Sequence, residues 1–364
     1  MMERVYNFSP GPAVLPLPVL EQAQRELVTL PGVGMSILEI SHRSPHFERV
    51  LAEAKDLLRQ LLDIPEGYTI LMLQGGASLQ FSMVPINFLR DTDKPASYII
   101  TGTWGSKALQ EAKREGEVQV AWDGKAAQYS TLPRDGELKL NADAAYVHMT
   151  SNETIQGVQF QRDPQLGSHS LICDASSDFL SRPIDVARYA MIYACAQKNA
   201  GIAGVTAVIV REALLERAHR DLPSMLDYRL QAKNDSLYNT PPVFGIYILM
   251  LIGRWLRDEI GGLAKMADIN RAKAGMLYDV IDSSGGFYVG HAQPDCRSAM
   301  NVTFRLPTEE LEQSFVKLAK DEGLYDLKGH RSVGGIRASI YNAMPVAGVE
   351  KLRDFMKKFK ATRG

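Results

Sequence analysis

The chain has 364 residues, 45% of them hydrophobic, with 29 Gly and 18 Pro, and 41 Lys plus Arg against 42 Asp plus Glu give a formal net charge of -1. This composition excludes disordered, collagenous and disulfide-scaffold chains, and the length corresponds to roughly two domains at about 150 residues each. Without a net basic field to hold a nucleic acid or an anionic membrane, no such partner is expected, and any anion site has to be local.

In chain order, Met1-Met2-Glu3-Arg4 carries charge but starts no apolar run of the kind a secretion signal needs. Residues 46–62 place Phe47, Val50, Leu51, Ala54, Leu57, Leu58 and Leu61 at helical spacing between charged residues, which predicts an amphipathic helix. From residue 68 short apolar runs follow at 68–73, 97–101, 118–122, 144–148, 170–173, 191–195 and 205–210. Several lack strict alternation, as strands buried on both faces do, and most are separated by enough chain for a helix. The predicted class is therefore α/β, a mainly parallel seven-stranded sheet with helices on both faces. The longest apolar stretch, 243–252, is too short to span a bilayer and reads as a buried helix. Beyond it the rhythm changes to a strand near 301–306, a helix led by Thr308, a strand at 336–341 and a last helix carrying Val349, Leu352, Phe355 and Phe359. These describe a small α+β domain. The large domain is expected over 16–260, and the small one over 1–15 and 261–364.

Three features suggest chemistry. Gln74-Gly75-Gly76-Ala77-Ser78 lies between a predicted strand and the helix predicted over 81–89, where backbone N–H groups and a helix dipole can cradle a phosphate. It matches neither a Walker A nor a G-x-G-x-x-G pattern, so a plain tight turn with a Ser cap is the competing reading. Asp174 ends a strand, the edge at which open α/β sheets bind ligands, although such an Asp also caps turns. Lys198 follows the next strand in a loop of small residues. A lysine for a Schiff base, a carboxylate for a pyridinium nitrogen and a helix N-terminus for a phosphate are together what pyridoxal phosphate requires.

At this point the chain resembles a known family. The segments Asn7-Phe8-Ser9-Pro10-Gly11-Pro12, Glu39-Ile40-Ser41-His42-Arg43-Ser44, Ala196-Gln197-Lys198-Asn199, Tyr238-Asn239-Thr240-Pro241-Pro242 and Gly329-His330-Arg331-Ser332-Val333-Gly334-Gly335-Ile336-Arg337-Ala338-Ser339-Ile340-Tyr341-Asn342-Ala343-Met344 are similar to those of the phosphoserine aminotransferases. These are fold-type-I pyridoxal-phosphate enzymes of the class V group. The resemblance implies that Lys198 is the Schiff-base lysine, that Asp174 pairs with the pyridinium nitrogen, and that Trp104 stacks on the ring beside Thr154. It implies that the Ala77 and Ser78 amides and Gln197 hold the cofactor phosphate, with Asn239 and Thr240 reaching it from the other subunit of a homodimer. It implies an exchange of the amino group between glutamate and 3-phosphohydroxypyruvate, a step of serine synthesis, with a related phosphorylated acceptor of pyridoxine synthesis as a second possibility.

Two His-Arg-Ser tripeptides supply the substrate reading, because guanidinium forks match carboxylate and phosphate oxygens. His42, Arg43, His330 and Arg331 are expected to line one anionic-substrate pocket, with Arg337 on the α-carboxylate. Ser78 stands where some relatives carry a substrate-contacting arginine. The odd set of Cys173, Cys195 and Cys296 forms no C-x-x-C pair, which argues against a disulfide framework or zinc site and fits the reducing cytoplasm. Cys173 and Cys195 are read as core, as are His148, Met149 and Trp122, and Lys357, Lys358 and Lys360 as a solvated helix face. A desulfurase, which needs a mobile reactive cysteine, and a non-catalytic binding protein of the same fold are the rival readings.

Overall fold

The computed structural model describes residues 4–134 and 136–364, so the reading of Met1, Met2 and Glu3 lies outside the described residues. Helix α1 (Leu17–Glu26) leads to α2 (Pro45–Leu62), which Ser44 caps by accepting the Phe47 N–H. The chain then lays down β1 (Tyr68–Leu73), α3 (Gly76–Phe88), β2 (Ala96–Ile100), α4 (Thr103–Ala112), β3 (Val118–Asp123), β4 (Val147–Thr150), β5 (Leu171–Asp174), β6 (Met191–Cys195) and β7 (Thr206–Arg211). These strands form one seven-stranded sheet in the order β1-β7-β6-β5-β4-β2-β3. Only β7 runs antiparallel to its neighbours, so the remaining six strands end on one edge.

The apolar runs lack polar alternation because each face of the sheet is covered. Ile70, Met72, Ile192, Ala194, Ala207 and Ile209 pack with Phe47, Leu51 and Leu58 of α2 and with Ile246 to Ile252 of α5 (Val243–Arg254). The intervening residues Leu71, Leu73, Met191, Tyr193, Val208 and Val210 pack on the opposite face with Phe81 and Val84 of α3 and Ala108 and Leu109 of α4. Successive side chains of a strand point to opposite faces, so a run buried on both sides must be apolar throughout. No helix is long and apolar enough to cross a membrane among the described residues.

The remainder comprises α6 (Leu263–Asp282), β8 (Val289–Gly290), β9 (Asn301–Arg305), α7 (Glu309–Asp321), β10 (Ile336–Ser339) and α8 (Val346–Arg363). Strands β8, β9 and β10 form a three-stranded antiparallel sheet. Its core joins Phe8, Leu277, Phe304, Phe315, Ile336, Leu352 and Phe359. Thr308 caps α7 by accepting the Leu311 N–H, as the Thr308-led helix requires. Two predicted strands shift. The run at 144–148 bonds its neighbour from Ala145, whose N–H donates to the Pro95 carbonyl, and the strand continues past the predicted end to Thr150 beside Asp174. The run at 336–341 stops pairing at Ser339, and the carbonyls of Ile340 and Tyr341 instead accept from the buried Lys273 Nζ of α6.

Candidate active site

The C-terminal ends of β1, β4, β5 and β6 converge on a cavity of about 320 Å³. After β1 the chain turns at Gly75, whose φ of 85° lies in the left-handed region, and a Cβ there would come within 2.5 Å of Leu79. Glycine is required at this corner. Gly75 is also the N-cap of α3 and no side chain bonds the helix start, so the Ser-cap reading of Ser78 is corrected: Ser78 sits inside the first turn and lines the cavity with Gly76 and Ala77. The first amides of α3 are therefore left for an anion.

Asp174 is the last residue of β5 and is buried, with Oδ1 accepting the Ser176 N–H at 2.9 Å. It caps a turn and lines the cavity at once. Burial pushes its carboxyl above the usual range, and the Ser176 hydrogen bonds and the Lys198 charge pull the other way. Lys198, three residues past the end of β6, donates from Nζ to Thr154 Oγ1 at 3.0 Å and lies 5.7 Å from the Trp104 ring centroid. Burial works against its charge, but the acidic groups around it, the Asp174 and Glu153 carboxyls among them, outweigh burial and raise its pKa above the ordinary value.

The walls hold polar atoms with no protein partner. Trp104 Nε1, Thr150 Oγ1 and Arg337 Nε are all buried and unbonded. Arg337 and His330 lie between this cavity and an adjoining one of about 540 Å³, and no Asp or Glu among the described residues lines the outer space. His330 Nδ1 accepts the Ser332 N–H at 3.2 Å, which assigns the neutral ring its proton on Nε2. Burial first, then the charges of Arg337, Arg331 and Lys107, lower the His330 pKa.

The structure thus brings together Ala77, Ser78, Trp104, Thr154, Asp174, Gln197, Lys198, His330 and Arg337. It does not bring His42, Arg43, Arg331, Asn239 or Thr240 to the cavity of the same chain. Arg43 is exposed just before α2, and Arg331 is exposed at the tip of a loop closed by the Gly334 N–H on the His330 carbonyl. Thr240 is exposed too, although its carbonyl accepts from Gln74 Nε2 at 3.4 Å beside the glycine turn. Sequence reasoning missed Thr150 and Ser176, which line the cavity and are ordinary polar residues until β4 and β5 are paired. It also missed Glu153, fully buried between the cavity and the start of α4, where burial pushes the carboxyl up to about 7.

Comparison with known proteins places the chain in a family. The profile of the family described as aminotransferase class-V matches residues 5–352. A curated phosphoserine aminotransferase of Rhodopirellula baltica is 53% identical over 358 residues, 98% of this chain and 95% of that protein. The solved phosphoserine aminotransferase from Bacillus circulans subsp. alkalophilus superposes with a TM-score of 0.97 at 53% identity, covering 100% of both chains. A PLP-bound phosphoserine aminotransferase from Trichomonas vaginalis superposes with a TM-score of 0.92 at 43% identity, over 97% of this chain and 100% of that one. With its sheet, its lysine cavity and these whole-length similarities, the chain belongs to the class-V aminotransferase family and, within it, to the phosphoserine aminotransferases.

Proposed function

We propose that the chain moves an amino group reversibly between glutamate and 3-phosphohydroxypyruvate, giving O-phospho-L-serine and 2-oxoglutarate, with pyridoxal phosphate held in the Lys198 cavity. The observation that carries this reading is the Lys198 amine, bonded to Thr154 Oγ1 at 3.0 Å in a cavity shared with buried Asp174 and the uncapped start of α3. The residues fit the cofactor: the α3 amides suit its phosphate, the Asp174 carboxylate suits its ring nitrogen, and unbonded Thr150 Oγ1 and Trp104 Nε1 await polar partners. When bound, the cofactor acts as an electron sink for charge developing at the substrate Cα.

The side chains then divide the work. Lys198 would hold the cofactor covalently, and its amine, when free, would carry a proton away from the substrate Cα. Its contact with Thr154 Oγ1 orients Nζ for that transfer. Asp174, fixed by the Ser176 N–H, would keep a proton on the ring nitrogen. Gln197 joins the Ala77 and Ser78 amides at the phosphate. Arg337, buried with an unbonded Nε, takes the substrate α-carboxylate, and His330 Nε2–H donates to the same anion or to the distal group.

Residues outside this chain's cavity point to a second copy. We infer a homodimer in which Asn239 and Thr240 complete the neighbour's phosphate site and His42, Arg43 and Arg331 complete an anionic-substrate pocket. The exposure of Arg43, Thr240 and Arg331 supports this. The separate core around Phe8, Phe304 and Phe315 supports a division into a large unit over 16–260 and a small one over 1–15 and 261–364. Three buried free thiols among the described residues accord with a cytoplasmic protein of serine synthesis. The phosphorylated acceptor of pyridoxine synthesis is a second substrate to assay. A desulfurase is disfavoured, since burial pushes the Cys195 thiol up and opposes the thiolate that chemistry needs. Lys198→Ala should abolish turnover, at least about 10⁴-fold, with an unchanged far-ultraviolet circular dichroism spectrum. Near-normal turnover in that variant would overturn the mechanism.

A further inference from the structure

The segment that carries Thr154 to Lys198 also grips a second element. It starts in a short antiparallel pairing of Asn152–Glu153 with Val158–Gln159. On one side of Thr154, the fully buried Glu153 accepts the Trp104 N–H on Oε2 at 3.0 Å and the Gly105 N–H on Oε1 at 2.8 Å. On the other, Gln156 accepts the Thr103 N–H on Oε1 at 3.4 Å and donates from Nε2 to Thr103 Oγ1 at 2.9 Å. These three amides open α4, and a helix start leaves such donors without partners inside the helix. The N-cap, Gly102, has no side chain to serve them. A Cβ at Gly102 would come within 2.5 Å of Glu153 Cδ and 2.7 Å of Gln156 Oε1, so the missing side chain is what admits the Glu153 carboxylate and the Gln156 amide. One of the residues so held is Trp104, whose ring forms the cavity wall 5.7 Å from Lys198 Nζ.

We propose that Glu153 is a positioning residue for the cofactor: its buried carboxylate clamps the backbone at Trp104 and so locks the tryptophan wall to the Thr154–Lys198 contact. The inference rests on the reading of Lys198 as the cofactor linkage. A carboxylate suits the task because both oxygens accept, whereas an amide in its place turns an N–H₂ towards one of two N–H donors. Two charged groups act on Glu153 from neighbouring elements, Asp174 at the end of β5 and Lys198 beyond β6. Its negative end also faces the positive end of α4.

The test is a double-mutant cycle on cofactor affinity, read by quenching of protein fluorescence as pyridoxal phosphate is titrated into the cofactor-free protein. The four forms are wild type, Glu153→Gln, Trp104→Ala and the double variant. Glu153→Gln should weaken binding by about tenfold or more, the scale of a lost charge-assisted hydrogen bond. In the Trp104→Ala background the same change should weaken it less than about twofold, because the ring that Glu153 positions is gone. Glu153→Asp, which keeps the charge on a shorter stem, should recover part of the affinity, and it replaces Gln in the cycle if Gln does not fold. Equal losses in both backgrounds, or unchanged affinity in Glu153→Gln, overturn the proposal while leaving the cofactor reading intact. Absence of binding to the wild type overturns both.

Discussion

Replacing Lys273 with Met removes an ionisable group from the interior without emptying its space. Lys273 lies on α6, is fully buried, and donates from Nζ to the carbonyls of Ile340 at 3.0 Å, Tyr341 at 2.7 Å, Asn342 at 3.4 Å and Met344 at 3.2 Å. No carboxylate bonds it among the described residues, and burial pushes its pKa down to about 7 from an ordinary 10.5. Between those two values the unfolded chain holds a proton that the folded chain has lost. Stability therefore rises with pH across that window, by up to about 1.4 kcal/mol per unit, and the penalty is complete once the pH falls below about 7. From pH 7.5 to 9.5 the gain is about 2–3 kcal/mol. Lys273→Met carries no proton, so the stability of wild type minus variant should grow by that amount over the same range. A constant offset of roughly 1–3 kcal/mol, from carbonyls left without a donor, should lie beneath it. Urea unfolding of the cofactor-free protein at pH 7.5, 8.5 and 9.5, followed by circular dichroism with matched m-values, measures both quantities. Parallel curves for the two proteins would refute the reasoning, because they would mean that the four carbonyls keep the ammonium charged throughout.

Two further substitutions address the site. Asp174→Asn keeps an oxygen for the Ser176 N–H but removes the charge proposed to hold the ring nitrogen protonated. The half-reaction with glutamate in stopped flow should slow on the order of 10²–10⁴-fold, and a change within about threefold contradicts the role given to Asp174. Arg337→Lys keeps the charge and loses the planar fork. KM for both glutamate and the phosphorylated keto acid should rise by about tenfold or more in steady-state assays, with a melting temperature within a few degrees of wild type. Unchanged KM values would remove Arg337 from the substrate carboxylate.

Much of this architecture was legible because burial on two faces leaves a plain mark. Met191 to Cys195 and Tyr68 to Leu73 are apolar at every position that the two cores claim, and both runs match their strands residue for residue. Helix α6 left no such mark. Its buried face runs through Leu263, Met266, Asn270, Lys273, Leu277 and Ile281, and the two polar residues in the middle break the apolar period they belong to. Asn270 donates to Ser181 O and Asn342 Oδ1, and Lys273 serves the carbonyls beyond β10, so tertiary contacts decide both positions. The site divides in the same way. Lys198, Asp174 and the glycine turn follow from residue type and strand ends. The weight of Glu153 lies in amides 48 and 49 residues away, which no local pattern reports. The two His-Arg-Ser tripeptides look alike in sequence, yet within one chain only His330 reaches the cavity, because β10 carries that loop to it and the segment before α2 stays outside.

The central claim is that the Lys198 cavity holds pyridoxal phosphate and accepts an amino group from glutamate. The visible absorption spectrum of the purified protein, recorded before and after glutamate is added, tests it most directly. The account predicts a yellow band from the lysine-linked cofactor that moves into the near ultraviolet with glutamate and returns when 3-phosphohydroxypyruvate follows. No band after reconstitution with pyridoxal phosphate, or a band that glutamate leaves unmoved, contradicts it.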